Sequence, residues 1–144
     1  MSRYGQTQYK RTQVATADKG KLIVLLYEGA INFVRRAREC GEAKDFMGKA
    51  NNINRALDVI AELNHSLNMK EGGEIAANLR KLYLFISNLL IKGKINKETE
   101  YLDDAIGMLN TLLGAWQEVI KKPEAQQAIP QGGESTSLRP SIKV

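Results

Sequence analysis

The chain contains one cysteine, Cys40, and one histidine, His65. A single thiol excludes an internal disulfide and points to a reducing compartment, the cytoplasm. One histidine and one cysteine are too few to build a structural metal site. Glu62 and His65 stand three apart in the manner of a di-metal bundle motif, but no second copy exists, so no metal is expected. Long apolar runs are also missing. The longest, Leu22–Tyr27, falls far short of the ~20 residues that span a bilayer, and the opening MSRYGQTQYKRTQ has no apolar signal-peptide core. There is no Gly-rich phosphate loop, HExxH, CxxC or GxSxG. Nothing in the sequence therefore calls for an enzyme or a cofactor. The formal charge of +5 is spread along the chain without a polybasic run, which gives a nucleic-acid partner little to rest on.

What is present is helical periodicity. At 144 residues, 43% hydrophobic and 26% charged, the chain suits one globular domain with its own core. Residues 1–17 are polar, with Tyr4, Tyr9 and Val14 as punctuation, and read as a mobile N-terminal arm. Residues 123–144 hold all three prolines, a Gly-Gly pair and several serines, and read as a disordered tail. Between them, residues 18–122 divide into four helical segments of about 18–40, 44–68, 74–92 and 97–122.

Asp18 is the expected cap of the first segment, which carries two adjacent stripes, Leu22/Leu26/Phe33/Ala37 and Ile23/Tyr27/Ala30/Val34. Gly41 is expected to break it. In the second, Phe46, Ala50, Ile53, Leu57, Ile60, Asn64 and Leu67 keep a 4-3 rhythm, with Asn64 as the one polar seam residue. Asn68–Gly73 is expected to turn the chain, and the third helix to end before Lys92-Gly93-Lys94. Asn96 is the expected cap of the fourth helix, where Leu102, Ile106, Leu109, Leu113, Trp116 and Ile120 form one stripe and Tyr101, Ala105, Met108, Leu112, Ala115 and Val119 the other. Gly107 and Gly114 share its opposite face, marking either close approach by another segment or tolerated surface positions. Four helices with short connections predict an all-α, antiparallel up-down four-helix bundle.

The third segment, Gly72–Ile91, is apolar nearly all round. Ile75, Leu79, Leu82, Ile86 and Leu89 lie on one face, while Ala77, Leu84 and Ile91, with Phe85 beside them, lie mostly on another. In a four-helix bundle each helix has two neighbours and an outer side, so the second set reads as a face offered to a partner. Helix-in-groove recognition needs such anchors at i, i+3, i+4 and i+7 spacing. On the second helix Ala56, Val59 and Leu63 are the expected flank.

Five segments in order resemble the flagellin export chaperones, the FliS family. Tyr9 is followed by TQVATA at Thr12–Ala17 and KLIVLLYEGA at Lys21–Ala30; then come NRALDVIAELNHSLN at Asn54–Asn68, GGEIAANLRKLY at Gly72–Tyr83 and LLGAWQEV at Leu112–Val119. Asp18-Lys19 stands where many members have Ser-Pro, and Phe85-Ile86 where an aromatic-Met pair is common; both changes keep the local character. The resemblance implies a cytoplasmic, non-enzymatic, monomeric bundle without cofactors that binds the C-terminal disordered segment of flagellin one to one. It implies that binding prevents premature polymerisation and keeps the client competent for flagellar type III export, with the export apparatus and regulatory proteins as further partners. In some members the N-terminal arm occupies part of the same groove, which brings Tyr9 into the expected site beside Ala56, Val59, Leu63, Ala77, Leu84, Phe85 and Ile91. The alternative reading is a self-associating structural bundle whose surplus apolar face is closed by a second copy.

Overall fold

A computed structural model describes residues 19–121, which form four α-helices: α1 (Lys19–Glu42), α2 (Phe46–His65), α3 (Met69–Ile95) and α4 (Glu100–Ile120). Each helix packs on its predecessor and successor, and α4 returns to α1 to close the ring, with the most extensive contact between α1 and α2. Short connections make successive helices antiparallel, giving the all-α four-helix bundle that the periodicity predicts. The expected arm at 1–17, the Asp18 cap and the expected tail at 123–144 lie outside the described residues.

Glycines account for most of the differences at the boundaries. α1 does not break at Gly41 but runs on to Glu42, and the chain turns at Lys44, whose φ of 61° is left-handed. Asp45 then caps α2 by accepting from Gly48 N–H at 3.0 Å. Asn68 caps α3 through a bond from Glu71 N–H at 3.0 Å, so the helix opens one turn earlier than expected. Gly73, with φ 54° and ψ −129°, kinks that helix, where the sequence predicts a turn at the Gly-Gly pair. At the far end α3 passes through Gly93. A Cβ there would lie 2.5 Å from Leu102 Cδ2, so this glycine admits α4 at close range rather than ending α3. Asn96 accordingly closes α3, its amide Nδ2 donating to Lys92 O at 2.8 Å, and Thr99 stands at the α4 N-cap with no side-chain cap bond.

The core selects among the apolar stripes. α1 buries Ile23, Tyr27, Ala30, Val34 and Ala37, while Leu22, Leu26 and Phe33 of the other stripe are half-buried. On α2 the buried row is Ile53, Ala56, Ile60 and Leu63, continued by Leu67 just beyond the helix, and Asn64 is exposed. The seam is therefore turned by one residue from the expected one. Rows 56/63 and 57/64 flank the same 53/60/67 line, and the turned seam leaves the Asn64 amide in water instead of desolvating it. α3 buries Ala76, Leu79, Tyr83, Ile86 and Leu90, leaving Ile75 exposed and Leu82 half-buried.

Three polar groups cross this core. Tyr27 on α1 and Tyr83 on α3 share a hydroxyl–hydroxyl hydrogen bond of 2.5 Å across the ring, and Trp116 on α4 donates from Nε1 to Tyr27 Oη at 3.2 Å. The tyrosine rings are tilted at 49°, 6.3 Å apart. Burial pushes Tyr27 up to about 12, although its bonds to Tyr83 and Trp116 pull the other way. Burial also raises Tyr83, helped by the adjacent Tyr27. A satisfied buried network of this kind fixes the relative placement of the helices that contribute to it.

Candidate apolar binding surface

Among the described residues no group of three His, Cys, Asp or Glu is placed to hold a metal ion, and no helix is long and apolar enough to cross a membrane. The Cys40 thiol is pushed up, first by desolvation and then by Asp45, away from the reactive thiolate.

What stands out is apolar surface concentrated on α3. Leu84 is 64% exposed, Phe85 53% and Ile91 46%, while Ala77 is half-buried. A helix advances about 100° per residue, so Ala77, Leu84 and Ile91, spaced by seven, form one line. That line faces the α2 side, because Lys94, three beyond Ile91, reaches across to Asn54 Oδ1 at 2.9 Å. Phe85 turns the other way. It borders a groove between α3 and α4 of about 560 Å³, whose walls include Leu82, Met108 and Leu112 and whose edge carries Asp103 and Asp104. Gly107 belongs to the same groove, and a Cβ at Gly107 or Gly114 would meet nothing within 4 Å. Close approach by a described segment is thus not the reason for these two glycines.

The expected α2 flank needs correction. Ala56 and Leu63 have no exposed area and belong to the core, a consequence of the turned seam. Val59 is half-buried and lies toward α1, on the side where Arg55 sits 6.0 Å over the Phe33 ring. The residues that α2 presents to the α3 line are Leu57, half-buried, and Ala61, exposed, on the side of Asn54. Tyr9 lies outside the described residues. The structure thus brings Ala77, Leu84 and Ile91 together, sets Phe85 on a second groove, and removes Ala56 and Leu63 from the surface. Leu82, Met108 and Leu112 were legible as apolar stripe residues. Their place in a groove depends on how far α3 and α4 stand apart, which the stripes do not encode.

Comparison with known proteins decides what kind of bundle this is. The family model for the flagellar protein FliS matches residues 1–123. The chain belongs to the FliS family. The flagellar secretion chaperone FliS of Bacillus subtilis (strain 168) is 30% identical over 115 residues, covering 80% of this chain and 85% of the relative. The FliS chaperone of Salmonella typhimurium is 28% identical over 116 residues, covering 80% and 86% respectively. That of Campylobacter jejuni is 30% identical over 111 residues, 77% of this chain and 87% of the relative. The FliS match takes in every described helix and so all of the α3 surface.

Proposed function

We propose that this chain is a cytoplasmic, non-enzymatic chaperone that holds the disordered C-terminal segment of flagellin, prevents its premature polymerisation and keeps it fit for flagellar type III export. The observation that carries the reading is the unpartnered apolar line Ala77–Leu84–Ile91, with Phe85 opening a second groove on the same helix. Membership of a family whose relatives are flagellar secretion chaperones supports it. From Ala77 to Ile91 the line runs about 21 Å along the helix, enough to seat several turns of a partner helix. A client that orders on binding must bury roughly 1,000–3,000 Å² to offset its lost entropy. One line does not supply that, so the contact extends over the α2 flank at Leu57 and Ala61 and over the α3–α4 groove. Tyr9 enters the proposal as a residue of the arm that shares this surface.

The test is calorimetric titration with full-length flagellin and with flagellin lacking its C-terminal segment. Only the full-length client should bind, as a 1:1 complex with a chaperone that light scattering shows to be monomeric. Leu84→Asp should weaken binding about tenfold or more while the melting transition stays cooperative. Equal binding of both flagellins would overturn the assignment of the client segment, and unchanged binding by Leu84→Asp would overturn the assignment of the surface. A tight dimer that flagellin does not dissociate would favour the self-associating bundle. Deleting residues 1–16 should change the affinity, and an unchanged titration would remove the arm from the site.

A further inference from the structure

Where the α1–α2 turn meets the α3–α4 turn, the bundle ends in a cleft of about 420 Å³ with Phe46 and Leu102 among its walls. Lys49 of α2 lines it with only 6% of its surface exposed. Its stem lies along Gly41, where a Cβ would stand 3.3 Å from Lys49 Cδ, so the missing side chain leaves the lysine its path. Its ammonium donates to the carbonyl of Asn96, at the end of α3, at 2.7 Å.

A lysine ammonium has three N–H donors. Among the described residues the Lys49 ammonium makes no other hydrogen bond, and no carboxylate stands at ion-pairing distance from it. A structural reading is available: the bond to Asn96 ties two turns together and places a cation at the C-terminal end of α3. It accounts for one donor. It leaves two donors and the cleft beside them without a role. Buried charges are ordinarily paired, because desolvation without a counter-ion is costly.

We propose that this cleft binds a carboxylate carried on an apolar body, the C-terminal end of a peptide segment, with Lys49 as its counter-ion. The rim selects this class. Lys44 and Lys97 add positive charge, and Arg38 is already engaged by Asp103 at 3.2 Å. Glu42 and Glu98 line the same cleft and repel a polyanion such as a nucleic-acid backbone more strongly than a single carboxylate. Phe46, 54% exposed, offers its ring to the apolar body. Thr99, which makes no side-chain cap bond, lies on the cleft, so the α4 N-terminus adds a dipole favourable to an anion. The proposal is independent of the flagellar reading and involves neither Leu84 nor Ile91.

The experiment is an amide-resolved NMR titration of the full-length, ¹⁵N-labelled chain with N-acetylphenylalanine, with its uncharged carboxamide, and with inorganic phosphate. The acid should shift the amides of Gly41, Lys49, Thr99 and Leu102, and the carboxamide should bind at least about tenfold more weakly. Lys49→Met, which keeps the stem and removes the charge, should abolish the response to the acid. If that variant does not fold, replacing the exposed Lys44 and Lys97 together by Gln should weaken the acid roughly threefold. Equal binding of acid and carboxamide, no response to the acid, a Lys49→Met protein that binds like the parent, or a Lys44/Lys97 variant of unchanged affinity would each overturn the proposal. Tighter binding of phosphate than of the acid would overturn it in favour of a phosphate-bearing ligand.

Discussion

Tyr83 and Leu84 are neighbours in the chain and about 100° apart on α3, and that rotation separates two kinds of apolar residue. Tyr83 is 1% exposed and bonded to Tyr27, whereas Leu84 is 64% exposed. The same division continues along the helix, with Ala76, Ile86 and Leu90 inward and Ala77 and Ile91 toward the outside. Hydropathy does not distinguish these sets. Only the positions of α2 and α4 decide which stripe stabilises the bundle and which remains open to a partner. An apolar surplus on one helix therefore has meaning only once the architecture is known.

The contrast can be broken most forcefully from the inside. Ile86→Ala opens a cavity in a fully buried position and should cost about 2–5 kcal/mol of unfolding free energy, measured by denaturant melts. Alkaline pH attacks the same interior. Tyr27 lies at about 12 in the folded chain against 10 for an ordinary tyrosine, so its neutral form is favoured by folding. That contribution is complete below pH 10 and is lost as pH rises through 12, on the order of 1.4 kcal/mol per pH unit in that window. Denaturant melts across this range should show the decline, and Tyr83, shifted in the same direction, should add to it. Tyr83→Phe keeps the ring and removes its bond to Tyr27, which retains Trp116 as a donor. The expected loss is about 0.5–1.5 kcal/mol, and the alkaline decline should become shallower. Smallest of all is the outer residue: Leu84→Asp should change stability by no more than ~0.5 kcal/mol, with its effect confined to client binding. A large loss of stability from Leu84→Asp would erase the distinction between the two stripes.

The bundle was legible in the sequence because each segment carries a strong helical period and the connections are short. The outer side of α3 was legible for a related reason. Leu84, Phe85 and Ile91 exceed what one core-facing stripe requires, and all three are exposed. The α2 flank was not legible. Stripes containing Leu57 and Asn64 or Ala56 and Leu63 fit the period equally well, and only the burial cost of the Asn64 amide separates them. Gly41 and Gly93 resemble breaks in the sequence because close approach by Lys49 or Leu102 comes from residues that a local window does not relate to them. The Tyr27–Tyr83–Trp116 network was missed for the same reason, its members being 56 and 89 residues apart in sequence. The α3–α4 groove depends on helix spacing, which periodicity leaves unspecified.

The position of Trp116 has a practical consequence. It is the chain's one tryptophan, 5% exposed, and its indole N–H is held by Tyr27. An indole in such surroundings emits toward the blue and shifts to the red when water reaches it. Tyr27 and Tyr83 lie close enough to transfer excitation to it, so the bundle contains its own optical gauge. A client that loosens α4 from α1 will announce itself in the emission spectrum without any label. One that settles on the outside of α3 and leaves the core undisturbed will bind while the indole stays silent.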